Sequence, residues 1–505
     1  MRVSHLVFSS PADAGAVVSS RRWLWQASRL VVWLALAAPA ANAQNWLNAK
    51  DKKTNQSSFR AIDEWPDPNE FRNAAGSPGS RYWQQRVDYA IKATLDTVAH
   101  TVTGSERVTY HNNSPDQLVR LVPARPEHRS RRLARGAGAA GAPVAHPRAG
   151  ATLPAPEAFD GGYNLTRVQV VDAKGIKTNA RYVINGTVMK VHLATPIATG
   201  QKAVIDIDWT NKVPEGGHNG RGAKELVKDG WLYELAQWFP RASVYDDVNG
   251  WATDQFLGQG EFYLNFGTYD VEVTVPRNHI VNATGVLTNP TQVLTATQQQ
   301  RLAKAWTSDT PVFIVAPDEV MKPAARPAGT APLTWKFHAE NVRDFAWVSS
   351  KTYVWDAMGF KYRPTDKTIE LHSLYPRDAM PLWDSVSTKA IAQTMKTYGR
   401  MSFEYPYPKA VNARPRLRDG VPDDRLLRRA PSPDGKVSPG LARALISVTI
   451  HEVGHNWFPM IVASDERKWT WMDEGINSFL QYYAEKDWDP NYPTQRGPAK
   501  NIVDI

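Results

Sequence analysis

The chain of 505 residues contains no cysteine. Disulfide bonds and thiolate ligands are therefore excluded, and a bound metal would need histidine or oxygen ligands. Long apolar runs are also scarce, and the best one covers residues 30–38. A transmembrane helix needs about 20 apolar residues, so no stable membrane span is expected.

The same apolar run is interpreted as part of an export signal. Arg21 and Arg29 precede it, and the small residues Ala41 and Ala43 follow it in a cleavage-like pattern. Residues 1–43 therefore predict a secretory signal peptide, and the mature protein is expected in the periplasm or outside the cell. Signal-anchored attachment to a membrane is the alternative.

Positive charge is unevenly distributed along the chain, whose net charge is +10. Residues 120–150 hold seven Arg and one Glu, and residues 411–436 hold six Arg, one Lys and four Asp. Together with the basic leader, these stretches account for the excess charge, so no broad nucleic-acid surface is expected. A basic protein that binds nucleic acid or acidic lipid through the Arg-rich stretches is the alternative.

The most informative stretch is a His-Glu-x-x-His sequence at 451–455, followed after eighteen intervening residues by Glu474. Helical residues four positions apart lie on one face, so His451 and His455 can bind one metal ion. Glu474 supplies a third ligand, and Glu452 can act as general base toward a metal-bound water. Three protein ligands and one open position predict a single catalytic Zn²⁺.

A bare His-Glu-x-x-His sequence also arises by chance on amphipathic helices. Here an apolar run at 444–450 precedes the motif, as a buried active-site helix requires. A second periodic segment, 476–486, begins just after Glu474. These flanking segments favour a metal site over a chance match.

The sequence from His451 to Gln481, HEVGHNWFPMIVASDERKWTWMDEGINSFLQ, resembles the active-site core of the gluzincin zinc aminopeptidases, the membrane alanyl aminopeptidase family. Family-like sequence extends over most of residues 60–505. The resemblance implies a multidomain protein: an all-β, saddle-like N-terminal domain, then a thermolysin-like, mainly helical (α/β) zinc catalytic domain. It also implies hydrolysis of N-terminal peptide bonds in peptide substrates.

The β domain is predicted at 81–340, after a polar linker at 44–80. Apolar and polar residues alternate there with a period of two, and Asn185-Gly186 marks a tight hairpin. No long helical pattern interrupts these segments. The strands are predicted at 87–95, 101–110, 182–193 (the hairpin), 203–209 and 269–275.

The catalytic domain is predicted at 341–505. In the family, a Tyr that stabilises the tetrahedral intermediate lies on a later segment, so the resemblance implies that the C-terminal part of this domain is missing. The helices are predicted at 341–358, 381–398, 441–458 and 476–486.

In the family, a loop of the β domain reaches the catalytic cleft and holds the substrate's free amino group with a Gln or Glu. The aromatic stretch at 233–241 resembles this loop. The resemblance therefore implies that Gln237 binds substrate, with Glu234 as the second choice. The alternative is that both are loop or core residues that bind no ligand.

Residues 118–158 and 411–436 break the pattern of the surrounding sequence. Both are rich in Arg, Ala, Gly and Pro and lack helix or strand periodicity, so two surface insertions are the simple interpretation. The second stretch, however, occupies the place of the family's Gly-x-Met-Glu-Asn motif, whose Glu binds the substrate's amino terminus. A shifted reading frame across both stretches is the alternative, and an intact frame in resequenced DNA would refute it.

Together, these features predict a zinc metallopeptidase. Zinc on His451, His455 and Glu474 would lower the pKa of its bound water toward about 7. Glu452 would take the water's proton during attack on the scissile carbonyl and pass it to the leaving amine. Asp473 is a candidate for orienting a histidine ligand, and a solvated loop carboxylate is the alternative. A catalytically impaired or inactive zinc-binding remnant of the family is the alternative function.

Overall fold

The structure is a computed structural model, and it describes residues 67–121, 123–124, 161–215, 222–255, 263–413 and 437–493. All of these residues belong to one compact unit, Asp67–Ile505. The predicted signal peptide, most of the linker and most of both Arg-rich stretches lie outside the described residues. Within the described residues, no helix is long and apolar enough to cross a membrane.

Strands account for 39% of the described residues and helices for 21%. The first strands are β1 (Arg86–Asp96), β2 (Thr101–His111), β3 (Leu118–Leu121), β4 (Pro123–Ala124), β5 (Asn164–Val171), β6 (Lys177–Asn179), β7 (Arg181–Asn185), β8 (Val188–Ile197) and β9 (Lys202–Lys212). They are followed by β10 (Gly222–Val227), β11 (Gly230–Leu235), β12 (Arg241–Ala242), β13 (Tyr245–Asp246), β14 (Gly250–Trp251), β15 (Gly267–Val275), β16 (Ile280–Ala283) and β17 (Val286–Leu287). The last are β18 (Val312–Val315), β19 (Leu333–Val342), β20 (Trp347–Ser350), β21 (Tyr353–Phe360), β22 (Ile369–Pro376) and β23 (Lys409–Ala413).

Five α-helices lie within the described residues, and the last two follow the last strand. They are α1 (Pro290–Val293), α2 (Ala296–Ala305), α3 (Leu382–Met401), α4 (Pro439–Gly454) and α5 (Ile476–Trp488). Short 3₁₀ turns form at Pro323–Ala325 and Arg377–Ala379, and a π-helical turn at Trp471–Gly475 leads directly into α5.

The largest sheet among the described residues has eight strands, in the order β17-β19-β15-β1-β2-β9-β5-β6. β1 and β15 run parallel, whereas β1 and β2 are antiparallel over their whole length. Burial alternates along β1 and β2, which confirms the predicted period of two. One face therefore packs on the core, and the other carries ion pairs such as Arg107–Asp206, 2.8 Å apart.

Smaller sheets in the described part of the chain have the orders β10-β11-β20-β16, β12-β4-β8-β3 and β13-β14. β7 pairs with β8 at the side of the second of these sheets. This pair confirms the predicted hairpin, and Gly186 turns it with a φ of 56°, a conformation that glycine adopts without steric penalty.

A further sheet among the described residues has the order β18-β21-β22-β23, and α3 contacts its strands β21, β22 and β23. β22 and β23 run parallel, and α3 connects them along the chain. α3, α4 and α5 share an apolar core that includes Ile391, Met395, Ile450, Leu480 and Ala484. Both α4, which carries His451, and α5, which follows the turn of Glu474, are thus packed on α3.

The prediction of a helix at 341–358 is wrong, and the expectation of a mainly helical catalytic domain is not confirmed. The end of β19, β20 and most of β21 occupy that range. β21 is buried at all but one of its positions, so it shows no alternation of apolar and polar residues. A buried strand of this kind cannot be distinguished from a buried helix by periodicity alone.

Two further expectations need correction. α2 interrupts the region predicted to be all-β, and its start carries a capping box formed by Thr295 and Gln298. The stretches 118–158 and 411–436 were expected to lack regular structure, yet β3, β4 and the end of β23 lie within them. The helices predicted at 381–398 and 476–486 are confirmed as α3 and α5.

Candidate metal centre

α4 places both predicted histidine ligands at its C-terminal end. Ser438 caps its first turn by accepting a hydrogen bond from the backbone N–H of Leu441 at 3.2 Å, and Pro439 takes the first helical position. The helix ends at Gly454, four residues before the predicted end, and His455 is its C-cap. Both histidines therefore lie within one turn of each other.

Gly454 allows the helices around the site to approach closely. A Cβ at this position would lie 2.2 Å from Asn477 Oδ1 and 2.3 Å from Tyr398 Oη. These two atoms are themselves joined by a hydrogen bond of 2.7 Å from Tyr398 to Asn477. A larger residue would therefore push α4 away from α3 and α5.

The atoms of the predicted metal ligands converge. Nε2 of His451 lies 3.1 Å from Nε2 of His455, and these atoms lie 3.2 and 3.6 Å from Glu474 Oε2. Ligand atoms at about 2.0–2.1 Å from a tetrahedral zinc ion are about 3.3 Å from each other. The measured separations match that spacing, so the three side chains can hold one zinc ion.

Glu474 reaches the histidines from the π-helical turn that precedes α5. Its side chain is 46% exposed, whereas those of His451 and His455 are 16% and 19% exposed. The site therefore opens to solvent on the Glu474 side. A catalytic zinc centre needs an accessible position of this kind.

His451 is oriented by α5. Its Nδ1 lies 2.9 Å from Gln481 Oε1, and Asn477 Nδ2 donates to its backbone carbonyl at 2.9 Å. Gln481 Nε2 in turn donates to the buried Glu485 at 2.9 Å. The Gln481 oxygen can only accept, so a proton on Nδ1 of His451 satisfies this contact and leaves Nε2 free for a metal.

Asn477 and Gln481 were missed by the sequence analysis. They follow Glu474 by three and seven residues, so they lie on the helix face that continues from the ligand. That spacing is the signal that could have identified them.

His455 is oriented by its own loop and by Asp473. Its Nδ1 lies 2.9 Å from the carbonyl of Phe458 and 3.0 Å from Asp473 Oδ1. Asp473 is 1% exposed, and neither of its carboxylate oxygens has a well-aligned hydrogen bond within the described residues. The buried carboxylate therefore acts on His455 through this close contact and through its charge.

The carboxylates set the charge state of the metal-free site. Burial lowers the pKa of His455, but Asp473 and Glu474 outweigh it and raise this pKa to about 10. Hydrogen bonding to His451 and His455 holds the pKa of Glu474 far below its ordinary value. The cluster thus concentrates negative charge where a cation would bind.

Glu452, the predicted general base, is exposed on the last turn of α4. Its charge contributes to the raised pKa of His455, so its carboxylate lies near the cluster. It is not one of the three converging ligand atoms. This leaves its carboxylate available for proton transfer.

Gln237 follows β11 and has a φ of 55°, in the left-handed region that non-glycine residues rarely adopt. Its carbonyl accepts a hydrogen bond of 2.8 Å from Tyr163 Oη. Within the described part of the chain, no hydrogen bond links its side chain to the metal ligands. Its role in substrate binding stays a prediction, as does that of Glu234 in β11.

The place of the expected Gly-x-Met-Glu-Asn motif, residues 414–436, lies outside the described residues.

Neither a scan of protein-family models nor a comparison with curated proteins gives a match. Among solved structures, the chain is similar to the M1 zinc metallopeptidase from Deinococcus radiodurans, with 13% identity, 81% of this chain and 73% of that chain covered, and a TM-score of 0.46. It is also similar to a mutant of that protein bound to a Tyr-Ser-Ala substrate, with 12% identity, 80% and 72% covered, and a TM-score of 0.44. A two-domain M1 zinc metallopeptidase mutant bound to L-tryptophan gives 12% identity, 82% and 74% covered, and a TM-score of 0.44. At this identity and TM-score, the functional conclusion depends on the metal site itself.

Proposed function

We propose that this chain is a zinc-dependent metallopeptidase with one zinc ion on His451, His455 and Glu474. The observation that carries the proposal is the convergence of the three ligand atoms, whose separations of 3.1, 3.2 and 3.6 Å match a tetrahedral zinc site. Two imidazoles and one carboxylate, with an exposed side, form the ligand set of a hydrolytic zinc centre. A structural site would be closed by a fourth protein ligand.

Glu452 is the proposed general base. When bound, zinc supplies Lewis acidity that activates water and polarises the scissile carbonyl. The Glu452 carboxylate then accepts the proton of the attacking water and delivers it to the nitrogen of the leaving amine. Gln481 keeps the His451 proton on Nδ1, so that this ring does not compete with Glu452 for the transferred proton.

The finer proposal is an aminopeptidase, which removes residues from the N-terminus of peptides. It requires a group that holds the substrate's free amino group, and Gln237 is the proposed one. Its left-handed backbone supports this role, because strained residues cluster at ligand-binding positions. Gln237→Ala should raise KM for an aminoacyl anilide by about tenfold, as expected for loss of a hydrogen bond to a charged group.

An N-acetylated substrate is the control for the proposed contact between Gln237 and the substrate's amino group. The same variant should leave the hydrolysis of an N-acetylated substrate unchanged, because that substrate has no free ammonium group. Equal losses on both substrates would assign Gln237 a structural role. Preferred cleavage of the acetylated substrate by the unaltered chain would replace the aminopeptidase proposal by an endopeptidase.

The zinc peptidase proposal is tested with Glu452→Gln. Loss of a general base should lower kcat by about 10²–10⁴, while one zinc per chain remains bound. Glu404→Gln is the matched control, since Glu404 is an exposed carboxylate paired with Arg363. A chain that binds one zinc but hydrolyses no peptide would favour the inactive remnant, and unchanged turnover in Glu452→Gln would remove this residue from the mechanism.

A further inference from the structure

A continuous set of buried hydroxyl, amide and carboxylate groups, here named the polar path, joins the β18-β21-β22-β23 sheet to α4. Its members come from β21, β22, β23, α3 and α4, and none is more than 9% exposed. The polar path consists of Asp356, Ser373, Ser387, Thr388, Asn412 and Thr449.

The path reaches the metal-bearing helix through Asn412, a residue of β23. Its Nδ2 donates to Thr449 Oγ1 on α4 at 3.1 Å and to Ser387 Oγ on α3 at 2.9 Å. Both hydrogens of this amide nitrogen are therefore used. Asn412 bridges two helices that otherwise contact each other through apolar side chains.

The path continues through hydroxyl groups to a carboxylate. Ser387 Oγ lies 2.8 Å from Ser373 Oγ, and Ser373 Oγ lies 2.7 Å from Thr388 Oγ1. Thr388 is also hydrogen-bonded to Asp356 Oδ1. Tyr375 donates to the other oxygen of Asp356 at 2.6 Å.

The chemistry of these groups fixes the direction of each bond. An ionised Asp356 can only accept, so the single hydroxyl hydrogen of Thr388 goes to it, and Ser373 must donate to Thr388. Ser387 then donates to Ser373, since the single hydroxyl hydrogen of Ser373 goes to Thr388. Each hydroxyl oxygen, the Asn412 amide nitrogen and both Asp356 oxygens have a hydrogen-bond partner. A connected buried network of this kind is rigid and specific in geometry.

The contact on α4 lies on the side of the helix away from the metal. Thr449 precedes His451 by two residues, which is about 200° of helix rotation. Thr449 is 1% exposed and faces the core, whereas His451 points to Glu474. Apolar contacts allow a helix to adjust its rotation, but a hydrogen bond of fixed geometry does not.

We propose that Asn412 and Thr449 are positioning residues for the metal centre, because the polar path fixes the rotation of α4 about its axis. This rotation sets where His451 and His455 present Nε2. The proposal deepens the proposed zinc site and rests on it.

The test uses Thr449→Val in the full chain, which removes the acceptor oxygen and keeps the shape. Zinc affinity should fall by about tenfold. Loss of a group that supports a metal ligand lowers metal affinity by about 10–100-fold, and this is the lower end of that range. The visible absorption of the cobalt(II)-substituted chain should change as well, since it reports ligand geometry. Thr449→Ser, which restores the hydroxyl, should recover both properties.

Thr394→Val is the matched control. Thr394 is also completely buried on a helix, but its hydroxyl donates to the Ala390 carbonyl of its own helix at 2.9 Å. This variant should keep the cobalt spectrum and the zinc affinity, even if its melting temperature falls. Ser387→Ala interrupts the path at one step and removes only one atom. It should also weaken zinc binding, and it replaces Thr449→Val in the test if that variant does not fold.

Wild-type zinc affinity and an unchanged cobalt spectrum in folded Thr449→Val or Ser387→Ala would overturn the positioning proposal. Failure of the peptidase proposal gives a different pattern. In that case the unaltered chain binds cobalt but hydrolyses no peptide, while the two variants still shift the spectrum.

Discussion

Arg343 and Glu466 form an ion pair in which the two side chains are 1% and 2% exposed. Arg343 lies between β19 and β20, and Glu466 lies between α4 and the turn that carries Glu474. Burial raises the pKa of Glu466 to about 7, although the charge of Arg343 opposes this shift. The pair therefore ties the segment that supplies the third metal ligand to the connection between β19 and β20.

Removing one partner of this pair should strongly destabilise the chain. Arg343→Met leaves a buried carboxylate without its cation, and a loss of about 3–5 kcal/mol in the free energy of unfolding is expected. Arg343→Met combined with Glu466→Leu should be less destabilised than the sum of the single variants, since no buried charge remains. Urea denaturation at about pH 8 measures all three, and strictly additive losses would contradict a coupled pair.

Metal removal provides a second prediction. A ligand that binds the folded state at a concentration about 100 times its Kd stabilises it by about 2.7 kcal/mol. Zinc should therefore raise the melting temperature, and a chelator should reverse the rise. Glu474→Ala should lose most of this response, whereas Glu404→Ala, a change at an exposed carboxylate, should keep it; an unchanged response in Glu474→Ala would remove this residue from the ligand set.

The ligands on α4 were predictable from the sequence because a helix fixes the distance between residues four positions apart. The approach of Glu474 was not predictable from spacing alone, because a loop of eighteen residues separates it from His455. It was assigned as the third ligand from its place after the motif, and the resemblance to a known family supported that assignment. The contacts of Asn477 and Gln481 depend on how α5 packs against α4, and sequence periodicity gives no register between two helices.

Among the strands too, some were predictable from the sequence and others were not. β1 and β2 were predictable because one face is wet, so apolar and polar residues alternate along them. β21 is buried almost throughout and gave a helical prediction. The polar path could not be predicted either, since Asp356 and Thr449 lie far apart in the chain and their connection exists only in the packed fold.

Asp473 gives a third prediction, at the ring nitrogen of His455 that faces away from the metal. Asp473→Asn keeps the shape of the side chain and removes its charge, so the imidazole becomes a weaker ligand. Zinc affinity should fall by about 10-fold, as for other carboxylates that support a histidine ligand. Competition with a chromogenic chelator measures the loss, and Asp318→Asn, at a carboxylate that is 79% exposed, is the control. Equal affinities in the two variants would show that Asp473 does not act on the metal.

Lys409 gives a prediction about pH. It is 9% exposed, and its Nζ donates to Asn282 Oδ1 at 3.0 Å. Burial lowers the pKa of Lys409 from 10.5 to about 8, although Glu370 on the neighbouring strand raises it. As pH falls between these two values, the unfolded chain binds a proton that the folded chain does not bind. The stability contributed by neutral Lys409 is therefore present above the higher value and is lost as pH falls through the lower one.

Lys409→Met removes this proton linkage and keeps an apolar side chain of similar length. The variant should be more stable relative to the unaltered chain at about pH 7 than at about pH 10, by about 2–3 kcal/mol. Asn282 Oδ1 keeps a partner in the variant, because it also accepts from the backbone N–H of Ala283 at 2.9 Å. Urea denaturation of both proteins at the two pH values measures the difference, and Lys322→Met, at an exposed lysine, controls for loss of a surface charge. The same stability difference at both pH values would show that folding does not lower the pKa of Lys409, which would mean that Glu370 balances the cost of burial.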